Sequence, residues 1–392
     1  MYPRKQKQNL KMTKKLRVLA LEPYYGGSHK AFLDGWIQFS HHEWTVASLP
    51  PWKWKWRMRH SAITLADQTS EKIREGGDWD IIFCSDMLNL AEYLGLVPQS
   101  IQKLPSIVYF HENQLTYPVA HPQEFDFHYV LTNLITALAA TEVWFNSSYH
   151  QNIFLGELRG FLKRMPDFQP LEAVEDIRNK SLVKHPGIHQ FPRRKKRTPG
   201  PMHIVWAARW EHDKNPELFF KAIQILKKSK VEFKISVMGE QFRSSPDVFD
   251  SARKEFAEHI DRWGYQEKRS DYETALLDAD VFVSTADHEF FGFSVLEAAA
   301  AGAFPLVPEK LAYPETLELY SGNEDFFFKG EADQLAERLV QLSEKIGNNS
   351  LWNGDPERAI RIAEKFFWKT KAVLLDEELT RLIKRKKTKR II

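Results

Sequence analysis

Glu289-Phe290-Phe291-Gly292-Phe293-Ser294-Val295-Leu296-Glu297 runs directly into Ala298 to Ala301 and Gly302. Two carboxylates bracket an aromatic-glycine turn, and the second falls in the opening of a small-residue helix. Just upstream, Ala279-Asp280-Val281-Phe282-Val283-Ser284 has the apolar run of a buried strand. The order is therefore strand, loop, helix. Amides at such a helix start have no intrahelical acceptor, so the loop is predicted to hold an anion. Gly292 lets the backbone approach a ligand, and Glu297 can accept hydrogen bonds from hydroxyls while facing the favourable end of the helix dipole. Phosphate together with hydroxyls describes a nucleotide sugar. A capped helix with two solvated glutamates is the simpler alternative, and the other loops decide between them.

Outward from this stretch, strands alternate with helices twice. In the first half Leu16 to Leu21, Ile81 to Ser85, Ser106 to Phe110 and Glu142 to Phe145 read as strands. The first ends in Glu22-Pro23-Tyr24-Tyr25-Gly26-Gly27-Ser28-His29 and is followed by helical periodicity from Lys30 to Phe39. Asn146-Ser147-Ser148 is placed to cap a helix from Tyr149 to Leu155. In the second half His203 to Ala208, Phe233 to Met238, Val281 to Ser284 and Ala303 to Val307 are strands, with Pro216 to Lys228 as an intervening helix. Such alternation predicts two parallel sheets covered on both faces. Ligands in such sheets lie at the carboxyl ends of the strands, which makes Gly26 and Gly27 candidates for donor binding. The organisation expected is an acceptor domain over 1–195, a nucleotide-sugar domain over 196–365, and a C-terminal helix with a basic tail over 366–392.

Each half offers polar groups at a strand end. Arg209-Trp210-Glu211-His212-Asp213-Lys214-Asn215-Pro216 follows the first strand of the second half. A guanidinium and an ammonium five positions apart can converge on one diphosphate, and Asn215-Pro216 starts the next helix. Fixed cations there would stabilise the charge that grows on a departing phosphate. An ordinary surface pair is the alternative. In the first half, His111-Glu112-Asn113-Gln114-Leu115-Thr116-Tyr117-Pro118 ends an apolar strand. His111, Asn113 and Gln114 present hydrogen-bonding groups suited to sugar hydroxyls, although a strand-end histidine is also a common structural feature. His111, His121 and His128 lack the spacing of a metal site, so no catalytic metal is expected.

Trp52-Lys53-Trp54-Lys55-Trp56-Arg57 alternates indoles with cations. In an extended segment the rings would share one side and the charges the other, a surface for stacking splayed bases and contacting phosphates. Equally, the tryptophans would be core and the cations a solvated face.

Composition sets the outer bounds. At 392 residues the chain fits two domains, and 43% hydrophobic residues can supply both cores. Net charge is only +3, so no global field demands a nucleic-acid partner. Positive charge is instead local, in Arg193 to Arg197 before Thr198-Pro199-Gly200-Pro201, read as a solvated linker, and in Lys384 to Arg390. The single cysteine, Cys84, excludes an internal disulfide and sits in an apolar run. No segment approaches the ~20 apolar residues of a membrane span, and Met1 to Lys15 lacks a signal core, so a cytoplasmic or nuclear location is expected.

The Glu-x7-Glu spacing and Arg209-x4-Lys214-Asn215-Pro216 resemble the signature of retaining family 4 glycosyltransferases of GT-B type, with two Rossmann-like domains facing across a cleft. That resemblance implies Glu289 on the donor sugar, Glu297 on the ribose, and Phe291, Gly292 and Phe293 amides with Arg209 and Lys214 on the diphosphate. It also implies His111 near the donor hexose and front-side displacement without a protein nucleophile. Leu21 to His29, Phe110 to Pro118 and Leu49 to Arg59 are further similar to the glycosyltransferase-like domain-containing protein family, over nearly the whole chain. Its activity implies mannose passing from GDP-mannose to queuosine in a tRNA anticodon, that of tRNA-Asp, with no cofactor beyond the donor. Two alternatives stay open: a hexosyltransferase acting on a small molecule or glycan, and a silent fold of this type that binds RNA or nucleotide. Pro186-Gly187-Ile188-His189 departs from the Asn-Gly-Val-Asp common in family 4, which leaves that loop without an assigned role.

Overall fold

The computed structural model describes residues 14–118, 125–194, 196–197, 199–242 and 245–389, with side chains omitted for 386–389. His121, Lys195, Thr198 and the side chains of the last basic residues therefore lie outside the described residues.

The first sheet contains Arg17–Glu22 (β1), Glu43–Ser48 (β2), Ile81–Ser85 (β3), Ser106–Phe110 (β4), Glu142–Phe145 (β5) and Ser181–Val183 (β6), in the order β2-β1-β3-β4-β5-β6. The second contains Met202–Ala207 (β7), Phe233–Met238 (β8), Ile260–Gly264 (β9), Val281–Val283 (β10), Phe304–Pro308 (β11) and Phe327–Phe328 (β12), ordered β12-β11-β10-β7-β8-β9. Every pairing is parallel. Side chains alternate between faces, so Leu19, Leu21, Ile82, Cys84, Val108 and Phe110 join one core while Val18, Ala20, Ile81, Phe83, Ile107 and Tyr109 join another. Both faces are covered, as near-continuous apolar strands require.

The expected strands are all present. β2, β6, β9 and β12 were not expected: β2 is an edge strand with mixed polar residues, and β6 and β12 are three and two residues long. The helix expected from Tyr149 extends over Ser148–Leu162, with Ser147 Oγ accepting the His150 amide at its start.

The Trp52 to Arg57 stretch is a correction. It is not extended: Lys53 takes a left-handed conformation at φ 55° and caps a helix over Trp54–Arg74. Met58, Ala62, Leu65, Ala66 and Thr69 fall at helical spacing and are buried, which settles the period at 3.6 rather than 2. The tryptophans therefore form no single stripe, and they are not core, since Trp52 and Trp56 are 62% and 60% exposed.

The basic linker is a second correction. Arg194 and Arg197 converge on Asp280, which is 2% exposed and also accepts the His203 amide. A buried carboxylate needs such partners, so these cations anchor the linker to β10 rather than face water.

The chain finally returns to its first half. In the helix Trp368–Lys389, Trp368, Ala372, Leu375, Leu379 and Leu382 repeat at intervals of three and four and pack on the first sheet. Asp376, on the same helix, accepts from Trp36 Nε1, Ser40 Oγ and the His41 amide at 2.8–2.9 Å. The loop of unassigned role meets this helix: Ile188 bridges Phe367, and a Cβ on Gly187 would stand 2.2 Å from the Trp368 ring. No described helix is long and apolar enough to cross a membrane.

Candidate active site

The carboxyl ends of both sheets open on one cleft of ≈ 980 Å³. From the first half it is lined by Gly26, Gly27, His29, Trp54, His111, Gln114 and Tyr117; from the second by Arg209, Lys214, Glu289, Phe291 and Phe293. Residues nominated from separate stretches of sequence are thus brought to one wall or the other.

The second-domain wall is a network of charge. Lys214 follows β7 on a short helical turn, and Asn215, left-handed at φ 48°, accepts the Leu218 amide to start the next helix. The Lys214 ammonium is buried. It lies 3.0 Å from Asp213, 3.7 Å from Glu289 and donates to the His288 carbonyl at 2.7 Å. Arg209 faces the opening, 3.2 Å from Glu211 and 3.2 Å from the Tyr117 hydroxyl across the cleft. Burial opposes its charge, but Tyr117 and Glu211 more than compensate, so its pKa stands above that of a free guanidinium. Both side chains are therefore held in place before any ligand arrives.

The loop at Glu289 differs in one respect from the expectation of free amides. Glu289 Oε1 itself accepts from the Phe291 and Gly292 amides at 3.3 and 3.1 Å. The first amides of the helix Phe293–Ala301 have no acceptor within the helix, and among the described residues no N-cap side chain takes them. Gly292 is left-handed at φ 91°, and a Cβ there would stand 2.9 Å from the Tyr313 ring, so the glycine is required by backbone and packing. Glu297 lies one turn on. Its two oxygens accept from Arg269 Nη2 at 2.6 Å and Tyr272 Oη at 2.8 Å, which fixes its orientation beside the cleft. Neither partner has a motif that would have announced it.

On the first-domain wall, Glu22 at the end of β1 accepts from Ser85 Oγ and the Tyr24 amide, and lies 3.3 Å from His29 Nδ1. Burial disfavours a charged imidazole, yet Glu22 outweighs it and raises His29 to about 9. The His29 ring packs on His111 at 4.1 Å, tilted by 34°. Burial, and then the charge of His29, hold His111 far below the usual histidine range, so it is neutral. Glu22, His29 and His111 are close enough to hold a metal ion, a grouping distinct from the histidines weighed in the sequence. Their arrangement is already that of an ion pair with a neutral ring packed against it. Glu22 escaped notice because a single carboxylate at a strand end has no local pattern.

Asn113 is placed otherwise than expected. It is fully buried, and its Oδ1 accepts from Leu115, Thr116 and the Thr116 hydroxyl while Nδ2 meets His150. The residue shapes the loop that carries Gln114 and Tyr117 to the cleft. Cys84 is buried among apolar strands, and burial pushes its thiol up, as expected of an inert cysteine.

The two walls are joined beside the site. Ser147 Oγ donates to the Phe290 carbonyl at 2.6 Å, and the His150 ring stacks on Phe290 at 3.8 Å. Glu315 caps the first-domain helix from the other side, accepting the Ser148 and Tyr149 amides at 2.8 and 3.3 Å while facing His185 at 2.7 Å. A carboxylate at a helix N-terminus is favourable.

Two parallel-sheet domains opening on a shared cleft have the architecture of a two-domain glycosyltransferase of GT-B type, and the solved structures agree on the fold. Anabaena HepE with UDP and glucose superposes with a TM-score of 0.65 at 14% identity, over 93% of this chain and 100% of that one. Sucrose-phosphate synthase of Thermosynechococcus elongatus does so at 0.65 and 12%, over 94% and 100%. The glycosyl transferases group 1 family model matches residues 189–352, and the model for the tRNA-queuosine alpha-mannosyltransferase N-terminal region matches 17–188. The tRNA-queuosine alpha-mannosyltransferase of Drosophila melanogaster is 38% identical over 313 residues, 77% of this chain and 81% of that protein. The chain belongs to the tRNA-queuosine alpha-mannosyltransferase family, and it is a glycosyltransferase.

Proposed function

We propose that the protein transfers mannose from GDP-mannose to queuosine in a tRNA anticodon, that of tRNA-Asp, with retention at the anomeric carbon. The observation that carries this reading is the relation to the fly enzyme over 77% of this chain. Arg209 and Lys214 take the diphosphate, Glu289 the mannose hydroxyls and Glu297 the ribose, with the Phe291 to Phe293 segment beside the phosphates and Gly26 and Gly27 across from them. His111, a neutral ring at the cleft wall, contacts the hexose. The bond from the anomeric carbon to the phosphate breaks as the queuosine hydroxyl attacks the same face. The departing phosphate accepts the hydroxyl proton, so no protein base is consumed. Two fixed cations stabilise the growing phosphate charge, and neither metal nor cofactor is needed.

The acceptor side is supported by aromatic and basic groups at the cleft rim. Trp54 lines the cleft and packs on Tyr129 at 5.2 Å, with the Arg59 guanidinium over the same ring. Trp52, Lys53, Lys55, Trp56 and Arg57 adjoin Trp54 in the chain, outside the lining to which Trp54 and Gln114 belong. Rings for stacking beside cations for phosphates suit an unstacked anticodon loop. A tRNA acceptor also fits a cytoplasmic or nuclear location. Incubating the protein with GDP-mannose and queuosine tRNA, then digesting the tRNA, tests the reading by mass. The queuosine nucleoside gains one hexose; an unchanged nucleoside in the presence of intact donor would overturn the proposal.

A further inference from the structure

Tyr117 is a first-domain residue that reaches a cation of the opposite wall. Its hydroxyl oxygen accepts from Arg209 Nη2 at 3.2 Å, and its ring sits edge-on to His288 at 5.6 Å. The carbonyl of His288 in turn accepts from Lys214 at 2.7 Å, so Tyr117 touches Arg209 directly and packs on the residue that holds Lys214. A phenol that accepts from a guanidinium keeps its own proton to donate. Among the described residues nothing takes that proton, and Tyr117 belongs to the cleft lining.

We propose that Tyr117 is the acceptor domain's contribution to the phosphate clamp, its hydroxyl donating to the terminal phosphate of a bound nucleoside diphosphate while it accepts from Arg209. This rests on the nucleotide-sugar reading of the cleft. The bond from Arg209 polarises the hydroxyl and strengthens it as a donor. Burial, followed by the Glu112 charge, raises the phenol above its ordinary range, so it holds its proton throughout the neutral range. A donor supplied from the first domain completes the clamp only when both walls face the phosphate. The consequence is that phosphate binding and the placing of the acceptor domain are one event.

Tyr117→Phe keeps the ring against His288 and removes the hydroxyl alone. Wild type and variant are titrated calorimetrically with GDP, UDP, GMP and UMP. The variant binds the wild type's preferred diphosphate at least about tenfold more weakly, as the loss of a hydrogen bond to a charged group would give, while the corresponding monophosphate is little affected. Equal losses for mono- and diphosphate, or no loss for either, would overturn the proposal. A wild type that binds UDP and not GDP would overturn the GDP-mannose reading and leave Tyr117 judged on UDP. A wild type that binds neither diphosphate would overturn both.

Discussion

Arg209 and Lys214, the proposed phosphate-binding cations, are held in different ways. Lys214 is held on three sides by Asp213, Glu289 and the His288 carbonyl, whereas Arg209 faces the opening between Glu211 and Tyr117. Arg209→Ala or Lys214→Ala is expected to lower kcat at least about a hundredfold, the scale of losing one preorganised donor in a site closed to water. Near-normal turnover by both folded variants would remove the clamp from the mechanism. The Glu22–His29 pair makes a separate, pH-dependent contribution to stability. Because Glu22 raises the folded-state His29 from 6.5 to about 9, the contribution is complete below pH 6.5 and is lost as pH rises through about 9. Thermal melts should show wild type losing stability between those values relative to His29→Asn. Parallel pH dependence in the two proteins would mean that the imidazole is neutral in the fold.

At the scale of elements, the helix Trp54–Arg74 carries the proposed acceptor surface. Its start lies at the cleft rim beside the helix Phe127–Ala139, and Tyr129 of that helix packs on Trp54. Replacing Lys53, Lys55 and Arg57 by Ala should weaken tRNA binding and flatten its salt dependence, because fewer counterions are released. Trp54→Ala should weaken binding with little change in slope, since stacking carries no counterion term. Filter binding over a salt series reads both; identical affinity and slope in all variants would place tRNA elsewhere. The C-terminal helix contributes to the other face of the first sheet. Leu379 is fully buried there, so Leu379→Ala should cost about 2–5 kcal/mol in denaturant unfolding. A loss near zero would mean that the helix is only loosely docked.

At the scale of the molecule, two sheets were legible in the sequence because their strands are continuous apolar runs ending in glycine or polar loops. The edge strands were not, since β2 is partly exposed and β6 and β12 carry too few residues to show a period. That Arg209, Lys214 and Glu289 share one cleft wall was legible because each lies on a strand-end loop of the same sheet, whereas Glu297 stands outside the lining, held by Arg269 and Tyr272. Tyr117, Glu22, Arg269 and Glu315 were not, because each acts on a partner distant in the chain, as Glu315 does on Ser148. The tryptophan stretch misled for a local reason: three indoles at period two outweighed the buried residues from Met58 onward that set the period at 3.6.

Retaining transfer of mannose joins the donor clamp, the absence of a protein nucleophile from the mechanism and the tRNA acceptor in one claim. Its most direct test is the anomeric configuration of the nucleoside formed from GDP-mannose and queuosine tRNA, read by digestion with an α-mannosidase and a β-mannosidase. Front-side displacement from an α-linked donor predicts that the α-mannosidase alone releases the sugar and restores queuosine. Release by the β-mannosidase, or a product that carries no mannose, would contradict it.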